Sequence, residues 1–507
     1  MKQRISFRAF ILSDVGILVL LALAKLIFHL LTNGQYGFHR DELDSLDNAR
    51  YLDWGFVAYP PLMPFFARIA LELFGPSLVG LRFFAALNTS IAMVLTGLIA
   101  RELGGNRTTQ IITALGAAIA PIVLFSSALF HYFGFDHLWW VLIAYFVIRL
   151  LKSDDARWWL AIGAVIGLGM MSKYTMAFFV VGIVGAVVLT SARKYLLNKW
   201  LWGGVALSIL IFLPNIIWQI QHNFISLDFL SSIHARDVRW GRTDDFWIEQ
   251  IIQSSNPFML PFWIAGLIFY FFSSAGKPYR MIGWMAIVPF ALFVIAQGRG
   301  YYTNTLYPML IAGGAVLIEQ WLRALPRLGA RLAYGFAWGL IVAGAIVAGA
   351  LVLPLAPINS DWWKISSEVN GELREQIGWE ELTQTVAEIY AQLPADERAR
   401  TGIFTGNYGE AGAINLYGSK YGLPKAISGM NSYWLRGYGS PPPETLIVLG
   451  EDLYGLNRTF DTCKASGYIK NKYGVANEES RDHPIIYVCR GLRKPWDEIW
   501  ANALDFG

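Results

Sequence analysis

Charged residues are scarce in this chain of 507 residues. Asp, Glu, Lys and Arg make up 15% of it, against roughly 25% in soluble domains. The sequence also lacks a basic patch with interleaved aromatic residues, a Walker motif, zinc-ligand spacing and a glycine-rich nucleotide fingerprint. These absences argue against nucleic acid as a partner and against a nucleotide or zinc site.

Apolar runs are abundant instead, since 55% of the residues are hydrophobic. Eleven runs approach or reach the length that crosses a hydrocarbon core of about 30 Å. The pattern predicts an α-helical polytopic membrane protein, because so many runs together are not expected of buried soluble helices. The predicted spans are 10–32, 78–100, 109–127, 137–151, 158–172, 175–191, 200–218, 258–273, 281–297, 305–322 and 332–353.

Basic residues concentrate in alternate loops between these spans. By the positive-inside rule that side is cytoplasmic, so the N-terminus is predicted inside and everything after Pro354 outside. The first span is long and lacks a small-residue cleavage site, so we expect an anchor rather than a signal peptide. The basic residues are Lys2, Arg4, Arg8, Arg101, Arg107, Lys152, Arg157, Arg193, Lys194, Lys199, Lys277, Arg280, Arg323, Arg327 and Arg331.

The chain after the last span has mixed, soluble-looking sequence. We predict two domains, a transmembrane domain over 1–357 and an exterior α/β domain over 358–507. The only cysteines, Cys463 and Cys489, both lie in this tail. A pair in an oxidising compartment predicts a disulfide, with two reduced thiols as the alternative. Predicted helices are 379–393 and 408–417, and predicted strands are 401–405, 445–449 and 484–488.

An acidic stretch follows the first span directly. It contains Asp41, Glu42, Asp44, Asp47 and Asp53. Carboxylates are expensive in lipid, so the stretch is expected at the membrane surface or in a wet cavity. Asp41, with Glu42 as neighbour or substitute, is the candidate general base. The other three are expected to be helix-face or loop charges, and a plain surface charge is the alternative for Asp41 as well.

Other predicted exterior segments place further charged side chains on the same side of the membrane as the acidic stretch. They contribute Asp136, a further candidate catalytic carboxylate, and cationic side chains that suit a lipid phosphate. A carboxylate base with such cations fits glycosyl transfer from a lipid phosphate. The candidate substrate contacts are His39, Arg82, Lys173, Arg299 and Tyr302.

Each of these contacts also has a structural interpretation. Lys173 and Arg299 could be snorkelling anchors at helix ends, and Arg82 could pair with a nearby acid. His39, His131 and His137 are expected to form hydrogen bonds rather than to bind a metal. The apolar-then-charged segment from Ile225 onward is predicted to be a helix in the membrane interface.

Several motifs, in this order along the chain, carry a resemblance to a known family. They are "HRDELDSLDNARYLDWGFVAYPPL", "GLRFFAAL", "FGFDHLWW", "GLGMMSKYTMAFF", "GRGYYTNTLYPMLIAGGAVL", "GNYGEAGAINLYG" and "SGMNSYWLRG". The chain resembles the bacterial branch of the dolichyl-phosphate-mannose-protein mannosyltransferase family, which is related to the aminoarabinose transferases of lipid A. The resemblance implies a GT-C fold in the inner membrane and a polyprenyl-phosphate sugar donor used on the periplasmic face.

The resemblance also implies roles for particular residues. It makes Asp41 the catalytic carboxylate, Asp136 the acidic residue of the next exterior loop, and Lys173 a phosphate contact. Tyr59 stands where a His often precedes the Pro pair, which leaves the role of that position open. Family members differ in metal use. We expect an inverting enzyme with no cofactor, since a divalent cation has no persuasive site here.

Two rival functions remain open from the sequence. A transporter or flippase of a lipid-linked sugar would also have many spans and charges at their edges, but should show internal repeats. A non-catalytic assembly or receptor subunit would not depend on Asp41. The sugar and the prenyl chain length are not determined. The acceptor is open too, and protein hydroxyls, lipid A and cell-envelope glycans are the candidates.

Overall fold

The computed structural model describes residues 11–507. Within that range seven helices are long and apolar enough to cross a membrane, or ten spans exist if three bent helix pairs count as one each. The predicted polytopic helical fold is confirmed, whereas the count of eleven stays a prediction. The seven helices are Asp14–Thr32, Leu78–Glu102, Tyr132–Ser153, Lys199–Gln221, Lys277–Ile295, Gly300–Arg323 and Arg327–Val352.

Three further apolar segments are sharply bent. They are Arg107–Ala118 with Pro121–Ala128 at 68°, Met176–Leu189 with Ser191–Leu197 at 104°, and Phe246–Ser254 with Pro257–Phe272 at 90°. Proline explains two of the breaks, because it opens the segment after the bend and cannot continue the preceding helix. The predicted span 158–172 corresponds to helix Trp158–Met170, which has only 13 residues. Lys2, Arg4 and Arg8 lie outside the described residues.

The chain divides into two compact units. The first comprises the described residues up to 33, 82–221 and 234–353. The second comprises 34–81, 222–233 and 354–507. The predicted domain boundary at residue 357 stays a prediction.

The first unit is a bundle of apolar helices with an aromatic core. Trp140 stacks on Phe179 with ring centroids 4.1 Å apart, and Phe178 stacks on Phe293 at 4.7 Å. Many side chains on the outer faces of these helices are large, apolar and exposed, as expected where lipid rather than water is the solvent.

The second unit contains a five-stranded mixed sheet. Its strands are β1 (Thr401–Thr405), β2 (Ala426–Ile427), β3 (Thr445–Leu449), β4 (Phe460–Tyr468) and β5 (Ile485–Leu492). They are arranged in the order β2-β1-β3-β5-β4. β1 runs parallel to β2 and β3, whereas β5 runs antiparallel to both β3 and β4.

The chain also contains shorter helices outside the apolar segments. The predicted helices and strands of the tail are confirmed, and the predicted interfacial segment is helical. These helices are Arg40–Asn48, Leu62–Phe74, Ile225–Arg239, Asp361–Val369, Trp379–Gln392, Ala395–Arg398, Tyr408–Tyr417, Leu453–Thr459, Glu478–Asp482 and Trp496–Ala501, with 3-10 turns at Gly371–Gln376, Gly418–Tyr421 and Asn431–Arg436.

The two cysteines lie on neighbouring strands of the sheet. Cys463 of β4 is paired directly with Cys489 of β5 in the antiparallel register, and the two form a disulfide. The bond therefore ties the edge strand β4 to the rest of the sheet.

Candidate functional site

The acidic stretch folds into the helix Arg40–Asn48, which we call the acidic helix. His39 caps its N-terminus, since the His39 Nδ1 accepts the Asp41 N–H at 3.1 Å. The carboxylate of Glu42 accepts the His39 N–H at 2.9 Å, which completes a capping box. Glu42 is fully buried in this capping role, and its predicted catalytic function stays a prediction.

Asp41 differs from the other carboxylates of this helix because its side chain is 31% exposed. The Tyr408 hydroxyl donates to its Oδ1 at 2.8 Å, and the His39 Nδ1 lies 3.7 Å from its Oδ2. A carboxylate at the N-terminus of a helix is also stabilised by the helix dipole. Asp41 is therefore held in place while part of it stays open to a substrate.

Asp44 and Asp47 are not loop charges, and they are buried on the inner face of the acidic helix. The hydroxyl of Tyr59 donates to Asp44, and Asn48 donates to it at 3.0 Å. Burial raises the pKa of Asp44 to about 7. Asp47 is buried at 1% exposure and receives hydrogen bonds from Arg436 and, at 3.0 Å, from Asn415. Asp44 and Asp47 thus lie on a helix, one of the two placements expected for them, and are buried there, whereas Asp53 is exposed.

Tyr59, the one departure from the family motif, contacts the acidic helix. Its hydroxyl bonds to both Asp44 and Asn48 of the acidic helix. A His at this position could make a similar contact, so the motif Tyr59-Pro60-Pro61 anchors the segment that follows the acidic helix to the helix itself.

The acidic helix packs closely on helix Tyr408–Tyr417. A Cβ added at Gly412 would lie 2.8 Å from the carbonyl carbon of Leu43 and 2.9 Å from its oxygen. Only glycine permits that approach. The contact brings Tyr408 to Asp41 and Asn415 to Asp47.

Further ion pairs fix the start of the acidic helix. The Nε2 of His39 lies 2.8 Å from the Glu372 carboxylate. Because the Nδ1 accepts a backbone N–H, the ring proton sits on Nε2 and faces Glu372. Arg40 donates to Glu478 and lies 3.7 Å from Glu479.

The remaining predicted site residues lie in the first unit. Asp136 lies in the first turns of helix Tyr132–Ser153 and is buried. Trp140 donates to its Oδ1 at 3.0 Å, and the Thr175 hydroxyl donates to its Oδ2 at 3.3 Å. The carboxylate is thus positioned from two helical segments.

Lys173 lies among aromatic rings. Its ammonium is 3.9 Å from the ring centroid of Tyr302, 4.3 Å from that of Tyr132 and 4.8 Å from that of Phe133. Burial lowers the pKa of Lys173, while the negative charge of Asp136 and the positive charge of Arg299 act on it in opposite directions. Asp136, Lys173 and Tyr302 therefore form one cluster, which we call the Lys173 cluster.

Arg299 and Arg82 are both engaged in the bundle. Arg299 donates to both oxygens of Asp237 at 2.6 Å and to the Tyr301 hydroxyl at 3.0 Å. Arg82 is fully buried and donates to the Asn33 carbonyl at 2.9 Å. Arg299 therefore pairs with an acid, the alternative first considered for Arg82. Their predicted contacts with substrate stay predictions.

The predicted site residues thus form two sets, one in each unit. Asp41, Glu42 and His39 belong to the second unit, and Arg82, Asp136, Lys173, Arg299 and Tyr302 to the first. No group of three or more His, Cys, Asp or Glu residues in the range 11–507 is arranged to hold a metal ion.

Sequence reasoning missed several polar residues that complete these sets. Glu372, Tyr408 and Arg436 contact His39 or the acidic helix from far along the chain. Tyr408 and Arg436 lie in motifs that carry the resemblance, but those motifs do not indicate which residues they contact. Lys25 is different, because a lysine inside an apolar span was a visible signal.

Comparison with known proteins supports a glycosyltransferase. A family model described as dolichyl-phosphate-mannose-protein mannosyltransferase matches residues 58–218. Lipid A galacturonosyltransferase RgtD of Rhizobium johnstonii is 24% identical over 405 residues, which are 75% of this chain and 79% of that protein. Undecaprenyl phosphate-alpha-4-amino-4-deoxy-L-arabinose arabinosyl transferase 1 of Pseudomonas fluorescens is 24% identical over 289 residues, covering 50% of this chain and 48% of that one.

The fold agrees with these sequence matches. The crystal structure of ArnT from Cupriavidus metallidurans bound to undecaprenyl phosphate superposes with a TM-score of 0.56 at 14% identity, covering 94% of this chain and 97% of that one. The relatives are transferases by name, which favours an enzyme over a transporter or a receptor subunit. The chain is therefore a multi-pass membrane glycosyltransferase with the GT-C fold, and its residues 58–218 are similar to the dolichyl-phosphate-mannose-protein mannosyltransferase family.

Proposed function

We propose that the protein transfers a sugar from a polyprenyl-phosphate donor to a hydroxyl group, with Asp41 as general base. The observation that carries the proposal is the state of Asp41, which is partly exposed while Tyr408 and His39 fix its position. Similarity to transferases named for undecaprenyl phosphate and lipid A supports the donor class and makes a lipid A acceptor one candidate. A protein hydroxyl and a cell-envelope glycan are the other candidate acceptors.

The chemistry requires one proton transfer and one displacement. Asp41 takes the proton of the acceptor hydroxyl as that oxygen attacks the anomeric carbon of the sugar. The bond from the anomeric carbon to the phosphate oxygen breaks, and the electron pair leaves with the polyprenyl phosphate. Attack opposite the leaving group inverts the anomeric configuration.

The Lys173 cluster suits the leaving phosphate. A buried ammonium opposes growing negative charge more strongly than a solvated one, and Tyr302 holds Lys173 from one side at 3.9 Å. We assign Lys173 to the phosphate and Asp136 to the positioning of Lys173. Arg82, Arg299 and His39 are assigned either to holding the neighbouring parts of the chain in place or to contacting the substrate.

We further propose an orientation in the bacterial inner membrane. The basic loops between spans favour a cytoplasmic N-terminus. The C-terminal domain and Asp41 would then face the periplasm, where a lipid-linked donor and an envelope acceptor can meet.

A transfer assay with the reconstituted protein tests the proposal. Radiolabelled polyprenyl-phosphate sugars are supplied to wild type and to Asp41→Asn. We expect Asp41→Asn to lose at least about 100-fold in rate, since general-base catalysis contributes about 10²–10⁴-fold.

Asp53→Asn is the matched control, because Asp53 belongs to the same acidic stretch but is exposed. It should transfer sugar at the wild-type rate. Unchanged turnover in Asp41→Asn would rule out the base assignment.

A further inference from the structure

A polar seam runs along the first apolar helix. Lys25, His29 and Asn33 are spaced four residues apart and therefore lie on one face of the helix Asp14–Thr32 and its C-terminal end. Lys25 is the only Lys or Arg in this helix. A cationic side chain there is expensive and in membrane proteins usually marks a functional site.

The ammonium of Lys25 is bound by hydroxyl groups from two other helices. It donates to the Thr89 hydroxyl at 2.6 Å and to the Ser127 hydroxyl at 2.9 Å, and these two hydroxyls lie 2.7 Å apart. Among residues 11–507 no carboxylate forms an ion pair with Lys25. Because an ammonium has three N–H donors, one donor of Lys25 remains for a ligand.

The seam contains a second cation and an unused imidazole nitrogen. The Asn33 amide donates to the Ser127 carbonyl at 2.8 Å, and Arg82 donates to the Asn33 carbonyl at 2.9 Å. His29 is fully buried, and its Nε2 has no hydrogen-bond partner in the described part of the chain. The seam is therefore rich in donors and positive in charge.

The seam also borders the helix that carries Asp136. A Cβ added at Gly134 would lie 3.3 Å from the Ser126 carbonyl and 3.6 Å from the Thr89 methyl group. The first turn of helix Tyr132–Ser153 thus packs against the partners of Lys25, and its positive dipole end lies nearby. The side chain of the N-cap residue, His131, forms no capping hydrogen bond at that helix end.

Hydrogen bonding between helices does not by itself explain why residue 25 is a lysine. Neutral Ser, Thr and Asn side chains supply such hydrogen bonds in membrane bundles without a net charge. Neither lysine forms an ion pair in the described residues, but the carboxylate of Asp136 acts electrostatically on Lys173, and no carboxylate is known to do the same for Lys25. The missing counter-charge is best supplied by a ligand.

We propose that Lys25, Thr89 and Ser127 form a subsite, inside the helical bundle, for a phosphate group carried on a lipid. This inference rests on the proposed function, because that function brings a polyprenyl phosphate into the bundle. The ammonium and the seam around it neutralise the phosphate, and the apolar helices accommodate the lipid chain.

Ligand binding by the full-length protein in detergent tests the subsite. Undecaprenyl phosphate, undecaprenol and inorganic phosphate are each titrated, and binding is followed by the shift in melting temperature. Undecaprenyl phosphate should stabilise the wild type, and Lys25→Met should weaken that binding at least tenfold. Lys25→Arg should retain it, and undecaprenol should not distinguish the variants.

Lys199→Met is the matched control, because Lys199 is an exposed lysine at the end of another span, and it should bind as wild type does. If Lys25→Met does not fold, Thr89→Val combined with Ser127→Ala replaces it, with a weaker binding constant expected. Wild-type affinity in the folded variant would overturn the subsite. The subsite would also be overturned if undecaprenyl phosphate did not raise the melting temperature of the wild type, or if inorganic phosphate raised it equally.

The subsite and the proposed function fail in different ways. Asp41→Asn should bind undecaprenyl phosphate normally while transferring no sugar. A wild type that binds the lipid phosphate through Lys25 but transfers no sugar would leave the subsite standing and reject the transferase mechanism.

Discussion

Individual carboxylates in the second unit have different surroundings, and their chemistry differs accordingly. Asp41 is partly exposed and accepts a hydrogen bond from the Tyr408 hydroxyl, whereas Glu410 is fully buried. Burial, reinforced by the charge of Glu479, holds the pKa of Glu410 well above its usual range. The second unit therefore holds one partly exposed carboxyl group and one whose pKa is raised by burial.

Buried acids in the second unit predict that the stability of the fold depends on pH. Burial raises the pKa of Asp44, Glu451 and Glu479 to about 7 each. The folded protein holds protons that the unfolded chain releases near pH 4. The stability these groups contribute is complete below that pH and is lost as pH rises through 7. The melting temperature should fall between pH 5 and pH 8.

Replacing one of these acids by its neutral analogue tests the cause. Glu479→Gln should make the decline in melting temperature shallower, because the neutral amide has no proton to lose. Glu72→Gln serves as the control, since Glu72 is exposed and pairs with Arg68 on the surface. A melting temperature that rises over this range would contradict the assignment.

At the scale of elements, the contact between two helices determines where Asp41 lies. The acidic helix approaches helix Tyr408–Tyr417 at Gly412, and two of the hydrogen bonds to its carboxylates come from that helix. The positions of Asp41 and Asp47 therefore depend on the spacing between the two helices.

Gly412→Ala should disturb this spacing. The new methyl group would meet the Leu43 backbone at 2.8 Å, and overpacking of this kind costs about 1–3 kcal/mol. We expect a lower melting temperature and at least tenfold slower sugar transfer. Gly371→Ala is the control, because a Cβ there meets nothing within 4 Å. Equal activity in both variants would show that the helix spacing is unimportant.

The elements were predictable to different degrees, for physical reasons. Strands β1 and β3 were recognisable because they are short β-rich runs between turn residues, and most of their side chains are buried. Strand β4 was not, because its side chains are mostly exposed and include Lys464, Ser466 and Gly467. Asp44 and Tyr59 were each visible, but their pairing depends on tertiary packing. Asp41 stood out because a charged stretch follows an apolar span.

At the scale of the whole molecule, the proposed orientation makes a prediction about the disulfide. Cys463 and Cys489 are the only cysteines, so thiol labelling reports on the C-terminal domain alone. In spheroplasts a membrane-impermeant maleimide should label the protein after reduction and not before it. Protection of both thiols after reduction, with labelling restored by detergent, would place the domain on the cytoplasmic side.

The wide separation of Asp41 and Tyr408 along the chain has a consequence for biosynthesis. The two residues are 367 positions apart, and Arg436 follows Asp47 by 389. The ribosome makes the acidic helix first and its partners last, after all the spanning segments. Until the final segment emerges, the acidic helix lacks Tyr408, Asn415 and Arg436. Completion of the polypeptide thus assembles the surroundings of Asp41, and an interrupted chain inserts in the membrane without them.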